Sequence, residues 1–344
     1  MLIFGPQSPL QAEARPLKVL VLKHDEVERL LPVRECVAVM EQALTALARG
    51  RMHQPLRMVV RPESAEGLLA LMPAYRSGER AAYGLKAICV FHENPTRGLD
   101  AHQGCVMLFS GETGELLAVM NASAITAVRT AAVSGAATRR LAREDARELA
   151  LVGSGIQARA HLAAVASVRA IRRARVASLH VEHARKFAEE MSADYSFPVE
   201  AFESAEEAVR GASIIVTATT AREPVLRREW LAPGAHINAV GTYSPDAREI
   251  DTATVAAASL FVDRRESALS EAGDYILAAR EGAIGPEHIR AELGEVLAGE
   301  RPGRTSPDEI TLFKSLGLAV EDLAAAEYLY RQARLKGSGT WVEF

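Results

Sequence analysis

Hydrophobic and polar positions change rhythm twice along this chain. Near the start, Val33, Val37, Met40, Leu44 and Leu47 recur at the three-to-four spacing of an amphipathic helix, which predicts a helix over 32–49. A short apolar run at 19–22 reads as a strand before it. Residues 1–18, with Gly5, Pro6, Pro9 and Pro16, read as a loose extension. Over the next hundred residues the apolar runs shorten. The stretches 57–61, 68–72, 83–91, 104–109 and 116–120 read as strands separated by Gly, Pro, Asn and Asp, with Glu112-Thr113-Gly114 as a hairpin turn. This region is expected to be a meandering, largely antiparallel sheet.

From Ile125 to Leu141 the pattern becomes helical and rich in alanine, and alternation follows. Buried strands are expected at 148–152, 175–179, 212–217, 235–240 and 259–262, with helices at about 157–168 and at 183–191. Residues 287–299 and 317–335 also read as helical. Strands alternating with helices predict a doubly wound parallel sheet, so the fold class is α/β. No internal repeat or low-complexity tract interrupts it.

The stretch from Leu149 to Ala158 carries the clearest chemistry. An apolar strand runs into Gly153-Ser154-Gly155-Ile156-Gln157-Ala158, and a helix follows. Gly153 allows a tight turn, and Gly155 lets a pyrophosphate approach the backbone. The amides and dipole at the helix start favour that anion, and Ala158 lets helix and strand pack closely. The alternative is an ordinary glycine turn. At the end of the second strand stand Ser178-Leu179-His180, followed by Glu182, His183 and Arg185. NAD sites usually place an acid at that strand end, and NADP sites favour a nearby cation. Ser178 and His180 are able to accept a 2′-phosphate, and Glu182 faces either the ribose or solvent. The expectation tilts from NADH to NADPH.

Composition narrows the classes. The 344 residues suffice for two domains; 49% are hydrophobic but only 5% aromatic, so Ala, Leu and Val fill the core. The net charge of -4, with basic residues spread out, favours neither nucleic acid nor a membrane surface. The Arg-rich run at 169–175 reads as the solvated end of a helix and the start of a strand. Cys36, Cys89 and Cys105 form no CxxC pair and read as small core residues in a reducing, cytoplasmic setting. No apolar run is long enough to span a bilayer, and no signal peptide is expected. The histidines do not fall at metal-ligand spacings, so no metal is expected.

Arg57, Lys86 and Arg129 recur at strand or helix boundaries of the first region. Arginine binds a carboxylate with a two-pronged fork. A lysine beside arginines has its ammonium destabilised and its pKa lowered toward proton-transfer range. The alternative is three solvated charges. Glu271 and Asp274 read equally as helix caps or substrate contacts, Asp322 as a partner for a neighbouring cation, and Trp230 and Trp341 as packing residues.

The stretch from Gly114 to Ser134, carrying Asn121-Ala122-Ser123-Ala124 and Ala127-Val128-Arg129-Thr130-Ala131, closely resembles the ornithine cyclodeaminase/mu-crystallin family. Four segments agree in the same order: 98–104, the glycine turn, 234–241 and 312–317. The resemblance runs from about residue 19 to about 335. It implies a homodimer with a Rossmann NAD(P)-binding domain (128–317) inserted in an α+β substrate-binding and dimerisation domain (1–127 plus 318–344). It implies that Arg57, Lys86 and Arg129 hold a substrate carboxylate beside the nicotinamide, with Arg129 also near the cofactor. Gly153, Ser154, Gly155, Ile156 and Gln157 would bind the pyrophosphate. Segments with Thr217, Thr219, Asn238 and Val240 would line the nucleotide and nicotinamide, and Ser315 would approach the nicotinamide side. His102 and Gln103 fall in a motif near the cofactor.

One departure selects among the family's reactions. Family cyclodeaminases carry an aspartate where this chain has Tyr243, and an acid in the strand where this chain has 68–72. A tyrosine, with an ordinary pKa of ~10, is a poor base at neutral pH. Asp246 is near enough in sequence to be considered as a replacement. Members without the aspartate reduce cyclic ketimines bearing a carboxylate. The expected function is therefore NAD(P)H-dependent reduction of a cyclic ketimino acid such as Δ1-pyrroline-2-carboxylate to L-proline. Lys86 is the expected catalytic residue, and Tyr243 lies at the substrate. The alternatives are an ornithine cyclodeaminase, an amino-acid dehydrogenase, and a non-catalytic cofactor-binding protein.

Overall fold

Each rhythm in the sequence builds its own sheet in the computed structural model, which describes residues 17–91 and 93–344. Residues 1–16 of the expected extension lie outside the described residues. The first region supplies β1 (Lys18–Leu22), α1 (His24–Leu30), α2 (Val33–Ala48), β2 (Met52–His53), β3 (Met58–Val60), β4 (Leu68–Arg76), β5 (Ala82–Val90), β6 (His102–Ser110) and β7 (Leu116–Asn121). From β4 to β7 these strands form an antiparallel meander, with β1 parallel to β7 at one side. Along β5, Gly84, Lys86, Ile88 and Val90 are buried while their neighbours are not. That period of two turns every second side chain toward the interior.

α3 (Ala122–Leu141) links the halves. Asn121 caps it by accepting from the Ala124 amide at 2.9 Å. Its Ala and Gly side chains are short enough for α2 and α4 (Ile156–Val168) to pack against it, and it is buried along most of its length. The second region continues β8 (Glu148–Val152), α4, β9 (Arg173–Ala177), α5 (Val181–Ser192), β10 (Val199–Ala201), α6 (Ala205–Val209), β11 (Ile214–Thr217), β12 (His236–Ala239), α7 (Thr252–Ala257) and β13 (Ser259–Val262). It closes with α8 (Arg265–Glu271), α9 (Gly273–Arg280), β14 (Ile289–Glu292), α10 (Leu293–Leu297) and β15 (Thr311–Lys314). Its strands pair in parallel in the order β10-β9-β8-β11-β12-β15-β13-β14. This is the doubly wound arrangement, and the crossover at β8 puts the glycine turn at the topological switch point.

α11 (Ala319–Lys336) then returns to the first sheet and packs on β4 and β5, and β16 (Thr340–Glu343) joins that sheet antiparallel to β1. Two local expectations are corrected. Residues 287–299 are not one helix, because Ile289–Glu292 alternate buried and half-buried and pair with β13, leaving only a short α10. The strand expected at 175–179 lies two residues earlier, and Leu179 is 93% exposed. Among the described residues, no helix is long and apolar enough to cross a membrane and no cluster of metal ligands forms.

Candidate active site

The phosphate end of the site follows from β8 and α4. Gly153 has φ +111°, and a Cβ there would sit 2.5 Å from the Ala218 carbonyl oxygen. Only glycine fits that approach. Gly155 precedes α4 without side-chain capping, and a Cβ there would meet nothing within 4 Å. The first amides of α4 have no intrahelical acceptors, so Ser154, Gly155, Ile156 and Gln157 form an open cradle that fits a pyrophosphate. Where the second strand ends, Ser154 Oγ donates to Ser178 Oγ at 3.0 Å. His180 is exposed, edge-on to the His183 ring at 5.5 Å, and no carboxylate stands between Ala177 and His180.

Behind the neighbouring loops lies an acid that sequence patterns do not flag. Glu249 is fully buried. It accepts from Thr217 Oγ1 at 2.9 Å, the Thr219 amide at 2.7 Å, Thr219 Oγ1 at 2.8 Å and the Gly241 amide at 2.7 Å. One carboxylate thus ties the loop after β11 to the loop after β12. Burial pushes its pKa up, opposed by Lys314. Asp274 holds Glu249 from behind, accepting its amide at 2.8 Å and the Ile250 amide at 2.9 Å. Lys314 Nζ pairs with Asp274 at 2.8 Å and donates to the Thr242 carbonyl at 2.7 Å. Asp274 is therefore an anchor for this loop, neither a cap nor a substrate contact.

Two expected cofactor contacts are corrected by the same geometry. Thr217 and Asn238 are completely buried and lie off the cavity. The Thr217 hydroxyl is taken by Glu249, and Asn238 donates from Nδ2 to Thr138 Oγ1 at 3.0 Å, toward α3.

At the other end, Lys86 from β5 and Arg129 from α3 meet the first turn of α11. Lys86 Nζ lies 2.9 Å from Asp322 Oδ2; Arg129 Nε lies 3.0 Å from Asp322 Oδ1 and Arg129 NH1 2.6 Å from Glu321 Oε2. All four side chains are buried. Burial and the nearby Arg129 cation bring Lys86 down to about 8, against the pull of Asp322. Burial lifts Glu321 to about 7, although Arg129 opposes it. For Arg129 itself burial lowers the pKa, but the two carboxylates outweigh it and hold the group charged. Arg57, just before β3, reaches across from the first region. Its Nε pairs with Glu271 at 3.0 Å, and its NH2 donates to the Leu316 and Gly317 carbonyls at 2.8 and 3.1 Å. Asp263 fixes that same loop by accepting the Leu316 and Gly317 amides at 2.5 and 2.8 Å.

A cavity of about 490 Å³ opens between these ends. It is lined by Arg57, Lys86, Arg129, Tyr243, Gln157, Thr219, Val240 and Ser315 among the expected residues. Gly153, Ser154, Gly155, Ile156, Ser178 and His180 do not line it. His102 also lines it; Gln103 does not. Around the wall, Gln157 Oε1, Thr130 Oγ1, Ser315 Oγ and the Tyr243 hydroxyl are buried without hydrogen-bond partners. Buried polar atoms rarely stay unpaired, so this set fits a polar ligand ring such as a nicotinamide carboxamide. Burial also raises the Tyr243 phenol, with Arg61 and Arg57 opposing, so it stays neutral. Asp246 does not replace the missing acid: it is 62% exposed and paired outward with Arg222 at 2.5 Å. Of the residues unmarked in the sequence, Asp263 ends the apolar run Leu260-Phe261-Val262 and Glu321 falls with Asp322 between Val320 and Leu323, a buried setting in which acids are rare, whereas Glu249, in Arg248-Glu249-Ile250-Asp251, carries no such signal.

Among known proteins, the model of the ornithine cyclodeaminase/mu-crystallin family matches residues 18–337. A Δ1-pyrroline-2-carboxylate reductase of Bacillus cereus is 38% identical over 327 residues, covering 95% of this chain and 100% of the relative. The structure of Thermococcus litoralis Δ1-pyrroline-2-carboxylate reductase in complex with NADH and L-proline superposes with a TM-score of 0.91 at 41% identity, covering 94% of this chain and 99% of that one. An archaeal alanine dehydrogenase dimer with bound NAD superposes with a TM-score of 0.89 at 35% identity, covering 95% and 100%.

Proposed function

The chain belongs to the ornithine cyclodeaminase/mu-crystallin family, and from that membership we propose that it is an NAD(P)H-dependent reductase of cyclic ketimino acids, converting Δ1-pyrroline-2-carboxylate to L-proline. The observation that carries this reading is Lys86. Its ammonium sits in a cleft, lowered to about 8 and braced by Asp322, while Tyr243 stands where a cyclodeaminase needs a carboxylate. The Bacillus and Thermococcus relatives carry the same activity in their names.

The reaction adds one hydride and one proton across C=N. The hydride for the imine carbon would come from a dihydronicotinamide when one is bound, leaving it oxidised. Lys86 gives its proton to the imine nitrogen, and the neutral lysine regains one from solvent. Among the described residues, Arg57 NH1 and Arg129 NH2 are the guanidinium nitrogens of this pair without protein acceptors, so they meet the substrate carboxylate. Holding the carboxylate there orients the imine carbon toward the nicotinamide. Gly153 to Gln157 take the pyrophosphate, and Thr219, Val240 and Ser315 border the nicotinamide.

NADPH is the proposed cofactor. The support is the absence of an acid between Ala177 and His180 and the paired hydroxyls of Ser154 and Ser178. Fluorescence titration with both cofactors checks this; tighter binding of NADH overturns it. The proposed assembly is a homodimer, supported by the dimeric alanine dehydrogenase and by the exposed apolar side chains of Met58, Val59 and Val60 on β3. The three free cysteines accord with a cytoplasmic setting. The decisive assay follows cofactor oxidation with Δ1-pyrroline-2-carboxylate and its six-membered homologue. Turnover of neither, with either cofactor, removes the reductase reading.

A further inference from the structure

α11 covers only part of the first sheet. Asp322 stands over Lys86, a Cβ on Gly84 would lie 3.1 Å from Leu323, and Glu327 pairs with Arg76 beside Ala82. The helix therefore runs from the Lys86 rung toward Ala82, and its first turn ends at Lys86. On the other side of Lys86 the same face continues for two more cross-strand pairs, Ala70 with Ile88 and Leu68 with Val90. These four side chains are 4–7% exposed, and they meet the cavity. They lie about 7 and about 13 Å along the sheet from the Lys86 pair. All four line the cavity, as do Tyr243 and Val59, the cross-strand partner of Ala70.

The polar inventory there is one-sided. Glu271 is the sole acid lining the cavity among the described residues, and it is committed to Arg57. A substrate ending in an amine finds no free carboxylate. An apolar group finds a floor of Ala, Ile, Leu and Val.

We propose that this floor is a subsite for an apolar substituent, so that the substrate class is cyclic ketimino acids enlarged by a hydrophobic group on the ring carbons away from the carboxylate. This rests on the reductase reading above. With the carboxylate held at Arg57, Arg129 and Lys86, those ring carbons face the Ala70–Ile88 pair, and a substituent extends onto Leu68 and Val90. Each methylene buried there raises kcat/KM by about fourfold.

The test compares kcat/KM of the full-length protein with NADPH for Δ1-pyrroline-2-carboxylate, its six-membered homologue and its 4-phenyl derivative. The expected result is a value for the phenyl derivative at least about tenfold above the unsubstituted ring, mostly through a lower KM. Ala70→Phe fills the floor and is expected to reverse that ratio, with cofactor affinity reporting that the variant is folded. Val59→Phe, on the strand also proposed for the dimer face, is expected to narrow the ratio, with the oligomeric state checked alongside. Turnover of the unsubstituted ring with an equal or lower value for the phenyl derivative overturns the subsite and leaves the reductase reading standing. A ratio indifferent to both substitutions does the same. Turnover of none of the three removes the reductase reading and the subsite with it.

Discussion

Asp322 Oδ2 and Lys86 Nζ lie 2.9 Å apart, both buried, and the other oxygen of the same carboxylate holds Arg129 at 3.0 Å. One acid thus aims a proton donor and a carboxylate ligand at the same cleft. It also keeps two neighbouring cations from repelling each other apart.

Lys86→Met keeps the side chain's length and removes its proton. Turnover of the ketimine is expected to fall by roughly 10²–10⁴, the contribution of a placed general acid. Cofactor affinity, measured by fluorescence titration, is expected to change little. Equal loss of both would make Lys86 a structural residue.

The pH profile tests the same group without mutation. Lys86 is lowered from 10.5 to about 8, so it carries its proton below that value and is neutral above it. Reduction needs the protonated form. kcat is therefore expected to be level at neutral pH and to fall about tenfold per unit once pH passes about 8, while oxidation of L-proline rises over the same range. A reductive profile flat to pH 10 contradicts a proton from Lys86.

Asp322→Asn separates position from charge. Removing one partner from a buried ion cluster destabilises by about 3–5 kcal/mol, so urea or thermal unfolding is expected well below wild type. The carboxylate also favours the charged lysine, so without it the fall in kcat is expected to begin at lower pH. An unshifted profile would mean that Asp322 does not set the state of Lys86.

Glu249→Gln tests the hidden anchor of the cofactor loops. Every group hydrogen-bonded to this carboxylate is a donor, and two of them are backbone amides that cannot reverse. A glutamine turns one acceptor oxygen into a donor and sets it against them, at a cost of about 1–3 kcal/mol. The expected outcome is a cofactor KM raised about tenfold or more with the pH profile of kcat unchanged. A variant that loses stability but keeps wild-type cofactor KM shows an anchor that does not reach the cofactor.

The glycine turn was legible in the sequence because its chemistry is local. The strand, Gly153, Gly155 and the helix start are contiguous, and no distant partner is needed to read them. Arg57, Lys86 and Arg129 were legible as residue types, but their convergence was not. It depends on Glu271 and the Leu316–Gly317 loop for Arg57, and for Lys86 and Arg129 on Glu321 and Asp322, which arrive with α11 after the whole parallel sheet has intervened. Glu249 was silent because two of its contacts are backbone amides, which leave no pattern of residue types. Thr217 and Asn238 were misjudged because they still stand within β11 and β12, where their buried side chains are taken by Glu249 and Thr138. Val240 and Thr219, two residues on in each case, line the cavity instead, where the strands have given way to loops. Residues 287–299 misled because a short strand followed by a short helix blends into one amphipathic run.

The return of α11 to the first sheet has a consequence for synthesis. Lys86 and Arg129 are made long before the helix that neutralises them, and β1 waits for β16 as its neighbour. Until α11 docks, Lys86 and Arg129 lack the two carboxylates that hold them side by side, so the cleft takes its charge balance only from the helix that follows the parallel sheet.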